Sequence, residues 1–205
     1  MTRRFSLLVL ATGGALAAAP STARAQFPSP VSNPVSFGVT GGLAVPVGRL
    51  GDNLNSGYTV GGLVDLHPAP GPLSLRLEVG YDRFDVKSSV LNDLATAAGG
   101  SITGNTHFLR GTGNVVYRLA PVSGLRPYVT AGVGVYQLGA GASYSYGGTT
   151  TTQNDQTQTK FGVNGGVGLE LPLSGISVFL EARAHGVQTD ATPVTYIPIT
   201  VGIRF

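Results

Sequence analysis

The side chains best suited to catalysis or metal binding are few in this chain of 205 residues, and their spacing matches no established site. The three histidines, His67, His107 and His185, lie far apart and show neither the H-x-x-x-H nor the E-x-x-H spacing of a metal site. The chain has no cysteine, which excludes a thiolate ligand and a cysteine nucleophile. We therefore expect no catalytic residue, no bound metal and no cofactor.

Two glycine-rich patterns resemble ligand-binding loops only superficially. The segment 51–57 (GDNLNSG) has oxygen-bearing side chains of the kind that bind calcium, but Leu54 interrupts their alternation. The triplet Gly132-Val133-Gly134 lies inside an apolar alternating segment and does not open a helix, which excludes a phosphate-binding loop there. We interpret the first as a surface loop and the second as a strand interior.

The remaining chemically active groups are charged residues at alternate positions of apolar segments. Five are arginines and five are acids: Arg76, Arg110, Arg118, Arg183 and Arg204 against Asp65, Glu78, Asp82, Glu170 and Glu181. Arginine suits buried ion pairs because its planar guanidinium binds several acceptors and is weakly hydrated. We predict a structural ion-pair network inside the fold, formed by Arg76, Glu78, Arg110, Arg118, Glu170, Glu181, Arg183 and Arg204.

The segments that carry these charges alternate with the period of a β-strand. Within 73–82, apolar side chains occupy the odd positions, whereas Arg76, Glu78 and Asp82 are at even positions. A helix would scatter these charges around its circumference, but a strand separates them completely. The same test predicts eight strands: Ser36–Val45, Tyr58–Leu66, Leu73–Tyr81, Thr106–Leu119, Tyr128–Ala140, Lys160–Leu171, Ile176–His185 and Tyr196–Phe205.

The connections between the predicted strands alternate in length. Short ones rich in proline or glycine span 67–72, 121–127 and 172–175, and longer ones span 46–57, 82–105, 141–159 and 186–195. This alternation, with strands long enough to cross a membrane, predicts an all-β fold: an eight-stranded antiparallel up-and-down transmembrane β-barrel. Within the long loops we expect one or two helical turns at Ser89–Ala98 and a mobile, low-complexity stretch at 149–158.

The composition decides which strand face meets lipid. Only 11% of the residues are charged, against about 25% in ordinary soluble domains, and two lysines stand against eleven arginines. A soluble barrel of the lipocalin kind, the alternative, would turn a polar face rich in lysine and glutamate to water. The polar face here is rich in glycine, threonine, serine and asparagine, so we expect the apolar face to meet lipid.

The N-terminus has the features of a secretory signal peptide. Arg3 and Arg4 precede an apolar run over 5–19, and Ala23-Arg24-Ala25 provides small residues for cleavage before Gln26. We therefore predict a signal peptide over 1–25, a short periplasmic segment over 26–35 and a barrel over 36–205, with an N-terminal anchor as the minor alternative. Cleavage removes three arginines and leaves ten bases against ten acids, so nucleic acid is not an expected partner.

The C-terminus ends on an aromatic residue with an apolar pattern before it. Ile199, Val201, Ile203 and Phe205 recur at every second position, which resembles the assembly signal read by the outer-membrane insertion machinery. Pro198 cannot donate a ladder hydrogen bond, so we expect it in a bulge or above the membrane rim. In the absence of tryptophan, two aromatic girdles are predicted from Tyr58, Tyr81 and Phe161 at one rim and Phe37, Tyr117 and Phe205 at the other.

Several segments together carry a family resemblance. They are 57–61 (GYTVG), 127–134 (PYVTAGVG), 161–170 (FGVNGGVGLE), 181–183 (EAR) and the terminal Phe205. On these, the region from Ser36 to Phe205 resembles the small eight-stranded outer-membrane barrels, the group of OmpX, the OmpA barrel and the opacity proteins. The resemblance implies the outer membrane of a Gram-negative-type bacterium, with lipid and the barrel-assembly machinery as partners.

The same resemblance implies what the protein does. We expect a structural, surface-exposed anchor with four outward loops, and the alternative is an adhesin or receptor that binds an extracellular partner through those loops. Some similar barrels are lipid-modifying enzymes, which implies a histidine near a serine at H-x-S spacing, but His107 is followed by Phe108 and Leu109. An enzyme is therefore not expected. Pore formation is also disfavoured, because eight strands leave an interior just filled by side chains, and a narrow pore is kept as a less favoured alternative.

Overall fold

The computed structural model describes residues 34–89, 91, 101–146, 149–153, 157–189 and 193–205. The predicted signal peptide and nearly all of the predicted periplasmic segment lie outside these residues, as does most of the predicted helix at Ser89–Ala98. The described residues contain no helix long and apolar enough to cross a membrane.

Antiparallel strands account for nearly all of the described chain. The strands are β1 Val35–Val47, β2 Gly57–Leu66, β3 Leu73–Asp85, β4 Ser101–Arg118, β5 Arg126–Tyr146, β6 Thr149–Gln153, β7 Gln158–Pro172, β8 Ser177–Val187 and β9 Val194–Arg204. One short helix, α1 (Arg49–Asn53), follows β1. Each strand pairs with the next along the chain, except that β5 pairs with both β6 and β7, and β1 pairs with β9. Because β6 and β7 lie along successive parts of β5, the closed barrel has eight strands, which confirms the predicted fold class.

The strands extend further at their loop ends than the sequence pattern predicted. The stretch 82–105 was expected to be a loop, but β3 continues to Asp85 and β4 begins at Ser101, with Asp85 paired to Asn105. Residues 149–153 were expected to lie in a loop, and instead form β6 against the end of β5. Both expectations were wrong because the outward positions of these strand ends, such as Arg83, Asp85 and Asn105, are no longer apolar, and in β6 threonine favours extended backbone without an apolar pattern.

The distribution of polarity is inverted relative to a soluble domain. Arg76 is 1% exposed, whereas its neighbour Leu77 is 55% exposed. The same inside-out alternation holds along the other strands, with apolar side chains on the outer surface. An apolar outer face and a polar interior are expected when lipid surrounds the barrel and every backbone group finds its partner in a closed sheet. The six predicted girdle aromatics all lie on the outer face, and Phe161 is the most exposed at 74%.

Pro198 lies within β9 without a bulge. It is paired with Ala44 on β1, and on the other side of β9 the β8 register is the same before and after it, with Ala182 opposite Ile199 and His185 opposite Tyr196. The expected bulge is therefore wrong. The proline leaves only a local gap in the β8–β9 ladder because it lacks the N–H that a ladder bond needs.

The four residues of the predicted assembly signal follow one another on the outward face of β9 and at the chain end. Ile199, Val201, Ile203 and Phe205 are 45%, 54%, 43% and 61% exposed. Their role as an assembly signal stays a prediction.

Candidate functional site

The alternation of the strands directs ten charged side chains into the barrel, where they form one connected network of ion pairs. Its members are the five arginines and five acids of the polar face: Arg76, Arg110, Arg118, Arg183, Arg204, Asp65, Glu78, Asp82, Glu170 and Glu181. The eight residues predicted for the network all lie there, together with Asp65 and Asp82. With equal numbers of both charges, the network is neutral.

Asp65 is the centre of the half of the network that faces the short turns. This fully buried carboxylate accepts hydrogen bonds from Arg76 (Nε to Oδ1, 2.7 Å), Arg204 (Nη1 to Oδ2, 2.7 Å) and Arg118 (Nη2 to Oδ2, 3.2 Å). Glu170 binds Arg118 and Arg204 from the opposite side. These residues come from β2, β3, β4, β7 and β9, so the cluster ties together strands that are not neighbours.

The other half of the network is centred on Glu78 and Arg110. Glu78 binds Arg110 at 2.9 Å and Arg183 at 3.1 Å, and Arg110 also binds Asp82. Arg183 pairs with Glu181, which in turn accepts a hydrogen bond of 2.9 Å from Arg76. Arg76 thus joins the two halves into one network.

Aromatic side chains close the interior at the end of the long loops. Phe84, Phe108 and Tyr196 are fully buried, and their ring centroids lie 5.2 to 5.8 Å apart. Leu54, which directly follows α1, belongs to the same cluster, and Leu50 of α1 packs against it. We call this cluster the aromatic plug. The sequence reasoning missed it because Phe84 and Phe108 were assigned to no face, although continuing the alternation of β3 and β4 would have turned both inward.

A second apolar group lies deeper inside the barrel. It comprises Leu63, Val116, Tyr128 and Phe179. Arg76 lies 5.6 Å from the ring of Tyr128 and 5.3 Å from that of Phe179, so the guanidinium is packed against rings as well as paired with acids.

Inward glycines make room for these large side chains. A methyl group on Gly202 would come within 2.6 Å of the Phe179 ring, and one on Gly80 within 2.8 Å of Arg110 Nε. The barrel is narrow enough that small residues on one strand are needed wherever a large side chain crosses from another. The glycine content of the polar strand face therefore follows from packing.

The three histidines occupy three unrelated environments. His185 is buried, with Nδ1 2.8 Å from the Tyr136 hydroxyl and its ring stacked 5.0 Å from Tyr196. His107 is partly exposed and its ring centroid lies 5.8 Å from that of Tyr81. His67 follows β2, and burial together with the positive charge of Arg118 lowers its pKa below the ordinary value of 6.5. No group of three potential ligands among the described residues could hold a metal ion.

The arrangement as a whole can hold the barrel closed. A connected set of ion pairs fills the interior, with the aromatic plug at its loop end and the second apolar group packed alongside it. Each of the ten charged residues forms an ion pair with at least one other member of the set.

Comparisons with known proteins agree with this architecture. Residues 5–205 match the family model described as the outer membrane protein beta-barrel domain. The fold is similar to that of Neisserial surface protein A, with 17% identity over 84% of this chain and 96% of that one and a TM-score of 0.52. The fold is also similar to that of a major outer membrane protein of Thermus thermophilus, with 17% identity over 83% of this chain and 98% of that one and a TM-score of 0.52. No curated protein sequence matches the chain.

Proposed function

Because this chain belongs to the outer membrane β-barrel family and resides in the outer membrane of a Gram-negative-type bacterium, we propose that it is a closed, surface-exposed anchor. In this proposal the barrel fixes the protein in the membrane and displays the loop-side strand ends. The observation that carries the proposal is the filled interior, where the neutral ion-pair network is followed by the aromatic plug. Catalysis is not part of the proposal, since buried His185 is packed between the rings of Tyr136 and Tyr196.

The closed interior leads to a prediction about conductance. We expect planar-bilayer recordings of the refolded protein to show no stable nanosiemens steps, because an ion would have to displace paired charges and then cross the plug. A plug variant carrying Phe84→Ala and Phe108→Ala is expected to conduct more often than the wild type. Frequent large steps from the unaltered barrel would contradict the anchor proposal.

A second candidate function is supported by the length of two strands. β4 has 18 residues and β5 has 21, whereas about 9–11 suffice to cross the hydrocarbon core. Their loop-side ends pair with each other up to Ser101 and Ser145, and β6 adds a third strand. We call these three strand ends the projecting sheet. Its serines, threonines and Tyr144 are typical of adaptable binding surfaces, which favours a role in binding an extracellular protein.

The binding role can be separated from the anchor role by replacing the projecting sheet. Cells that display the protein are expected to bind immobilised serum or extracellular-matrix proteins better than cells displaying a variant with residues 141–157 replaced by a Gly/Ser linker. The replaced residues lie on the loop side of the part of β5 that pairs with β7, so the barrel should still fold, as checked by gel mobility of unboiled samples. Equal binding by both cell types at equal surface amounts would exclude the projecting sheet as a binding surface.

A further inference from the structure

A continuous apolar groove crosses the lipid-facing surface of the barrel. Gly111 and Gly113 point outward from β4, and a methyl group placed on Gly111 would have no atom within 4 Å. Depressions of about 470 Å³ and about 320 Å³ lie on the two sides of these glycines and share both of them as lining. The outer surface is therefore indented at β4, where neighbouring strands carry valine and leucine.

The strand register gives the direction of the groove. One row of paired residues runs from Gly62 through Val79, Gly111 and Val135 to Phe161. Neighbouring strands lie about 4.8 Å apart, so the row is roughly 19 Å long. It begins in the middle of β2 and ends at the loop side of β7, beside a predicted girdle aromatic. The row is apolar throughout, and its glycines leave room for a hydrocarbon chain beside the exposed side chains of Val79, Val135 and Phe161.

Polar side chains lie on the loop side of the groove where it crosses β3 and β4, separated from it by the paired residues Tyr81 and Leu109. Arg83 and His107 are paired residues on these strands, and both are partly exposed. The His107 ring lies beside that of Tyr81, which is 6.3 Å from the ring of Tyr58. Within the described part of the chain, Arg83 forms no ion pair. Arg83, His107 and Tyr81 thus form a partly exposed polar group, which we call the rim cluster.

The opposite rim differs in charge. Toward the short turns, the outward positions of the described strands carry apolar and aromatic residues such as Phe37, Leu73, Tyr117 and Ile203. The outward basic residues therefore occur only at the loop side among the described strand positions. In barrels of this kind the short turns face the periplasm and the longer loops face outward, which places the rim cluster at the outer leaflet.

We propose that the rim cluster and the groove together bind one phosphate-bearing lipid of the outer leaflet. The guanidinium of Arg83 and the imidazole of His107 would donate hydrogen bonds to the phosphate oxygens, since arginine binds such groups at two points. The acyl chain would cross β4 over Gly111, with Gly113 leaving room beside it, and would gain contact with backbone and with the flanking valines. A charged head and an apolar tail in this order distinguish such a lipid from a soluble anion and from a second barrel.

The proposal can be tested by counting retained lipids. The full barrel is reconstituted in phosphatidylcholine nanodiscs with a minor fraction of phosphatidic acid, and native mass spectrometry records the lipids that remain bound. We expect phosphatidic acid to be retained about tenfold over its share of the bilayer. The double variant Arg83→Gln with His107→Gln is expected to lower this retention about tenfold, to the lipid's share of the bilayer. Filling the groove by Gly111→Val with Gly113→Val should reduce retention to a similar extent.

Two matched controls make the result specific. Ala131→Val adds apolar bulk at an outward position of β5 that does not line the groove, and Arg126→Gln removes a positive charge at the opposite end of the barrel. Both are expected to retain phosphatidic acid like the wild type, and a gel mobility shift checks that every variant is folded. Equal losses in these controls, or a wild-type barrel that does not discriminate between the two lipids, would overturn the proposal. Displacement of the lipid by equimolar inorganic phosphate would also overturn it, because the groove would then contribute nothing.

Discussion

Replacing Asp65 with alanine is expected to lower the free energy of unfolding by about 3–5 kcal/mol, because it removes the acceptor shared by three interior arginines. Arg76, Arg118 and Arg204 all bind this carboxylate, which is 0% exposed. Glu181 still accepts from Arg76, and Glu170 still accepts from the other two. Three positive charges would then share two carboxylates in a closed interior where water cannot replace the lost partner.

The measurement is equilibrium unfolding in urea with the barrel held in lipid or detergent. The chain has no tryptophan, so the transition is followed by far-ultraviolet circular dichroism and by the gel mobility of unboiled samples. Asp85→Ala is the matched control, since Asp85 is exposed on the loop-side end of β3 and belongs to no part of the network. Unfolding midpoints that agree for the two variants would show that the network does not stabilise the barrel.

A methyl group at Gly42 is expected to hinder closure of the barrel, with a loss of about 3 kcal/mol of unfolding free energy. The added carbon of Gly42→Ala would overlap the backbone oxygen of Ile199 and come within 2.8 Å of the Thr200 Cα atom. These are backbone atoms of β9, so they cannot move away as the end of a long side chain can. Since β1 and β9 form the seam between the two ends of the chain, the strain falls on the step that closes the sheet.

The neighbouring glycine provides the control for this prediction. A methyl group on Gly41 points outward, and its nearest contact is the Thr59 backbone oxygen at 3.9 Å, an ordinary packing distance. We expect Gly41→Ala to fold in the same yield as the wild type, while Gly42→Ala leaves a large unfolded fraction after refolding into detergent micelles. If both variants give the same fraction of heat-shifted protein on a gel, the seam tolerates the methyl group at Gly42.

The barrel and its inside-out polarity could be predicted because lipid acts on one face of every strand. Where one face must be apolar, as at Leu77 beside Arg76, the alternation is strict and the register follows from it. Outside the membrane, neither face of a strand has to be apolar. The loop-side parts of β4 and β5 and all of β6 are polar on both faces, so the pattern there resembles a loop although the backbone is paired.

The interior was predictable as a set of residues and not as a set of contacts. The alternation places ten charged side chains inside, but it cannot say that Asp65 binds three arginines, because that depends on how distant strands such as β2 and β9 face each other across the lumen. The contacts within the aromatic plug were also not predictable from the alternation. Phe84 and Phe108 are apolar residues at inward positions, and only the closed structure shows that α1 and the rings of three strands meet there.

The pairing of β1 with β9 is expected to limit the rate of folding. All other strand pairs join segments that are near neighbours along the chain and can form as hairpins with a small loss of loop entropy. The seam instead joins the two ends of the barrel, down to reciprocal hydrogen bonds of 2.9 Å between Phe37 and Phe205. Contacts between distant parts of a chain slow folding, so the pairing of β1 with β9 is expected to be the slowest step. Until that pair forms, the open edges of β1 and β9 must be kept from pairing with other chains.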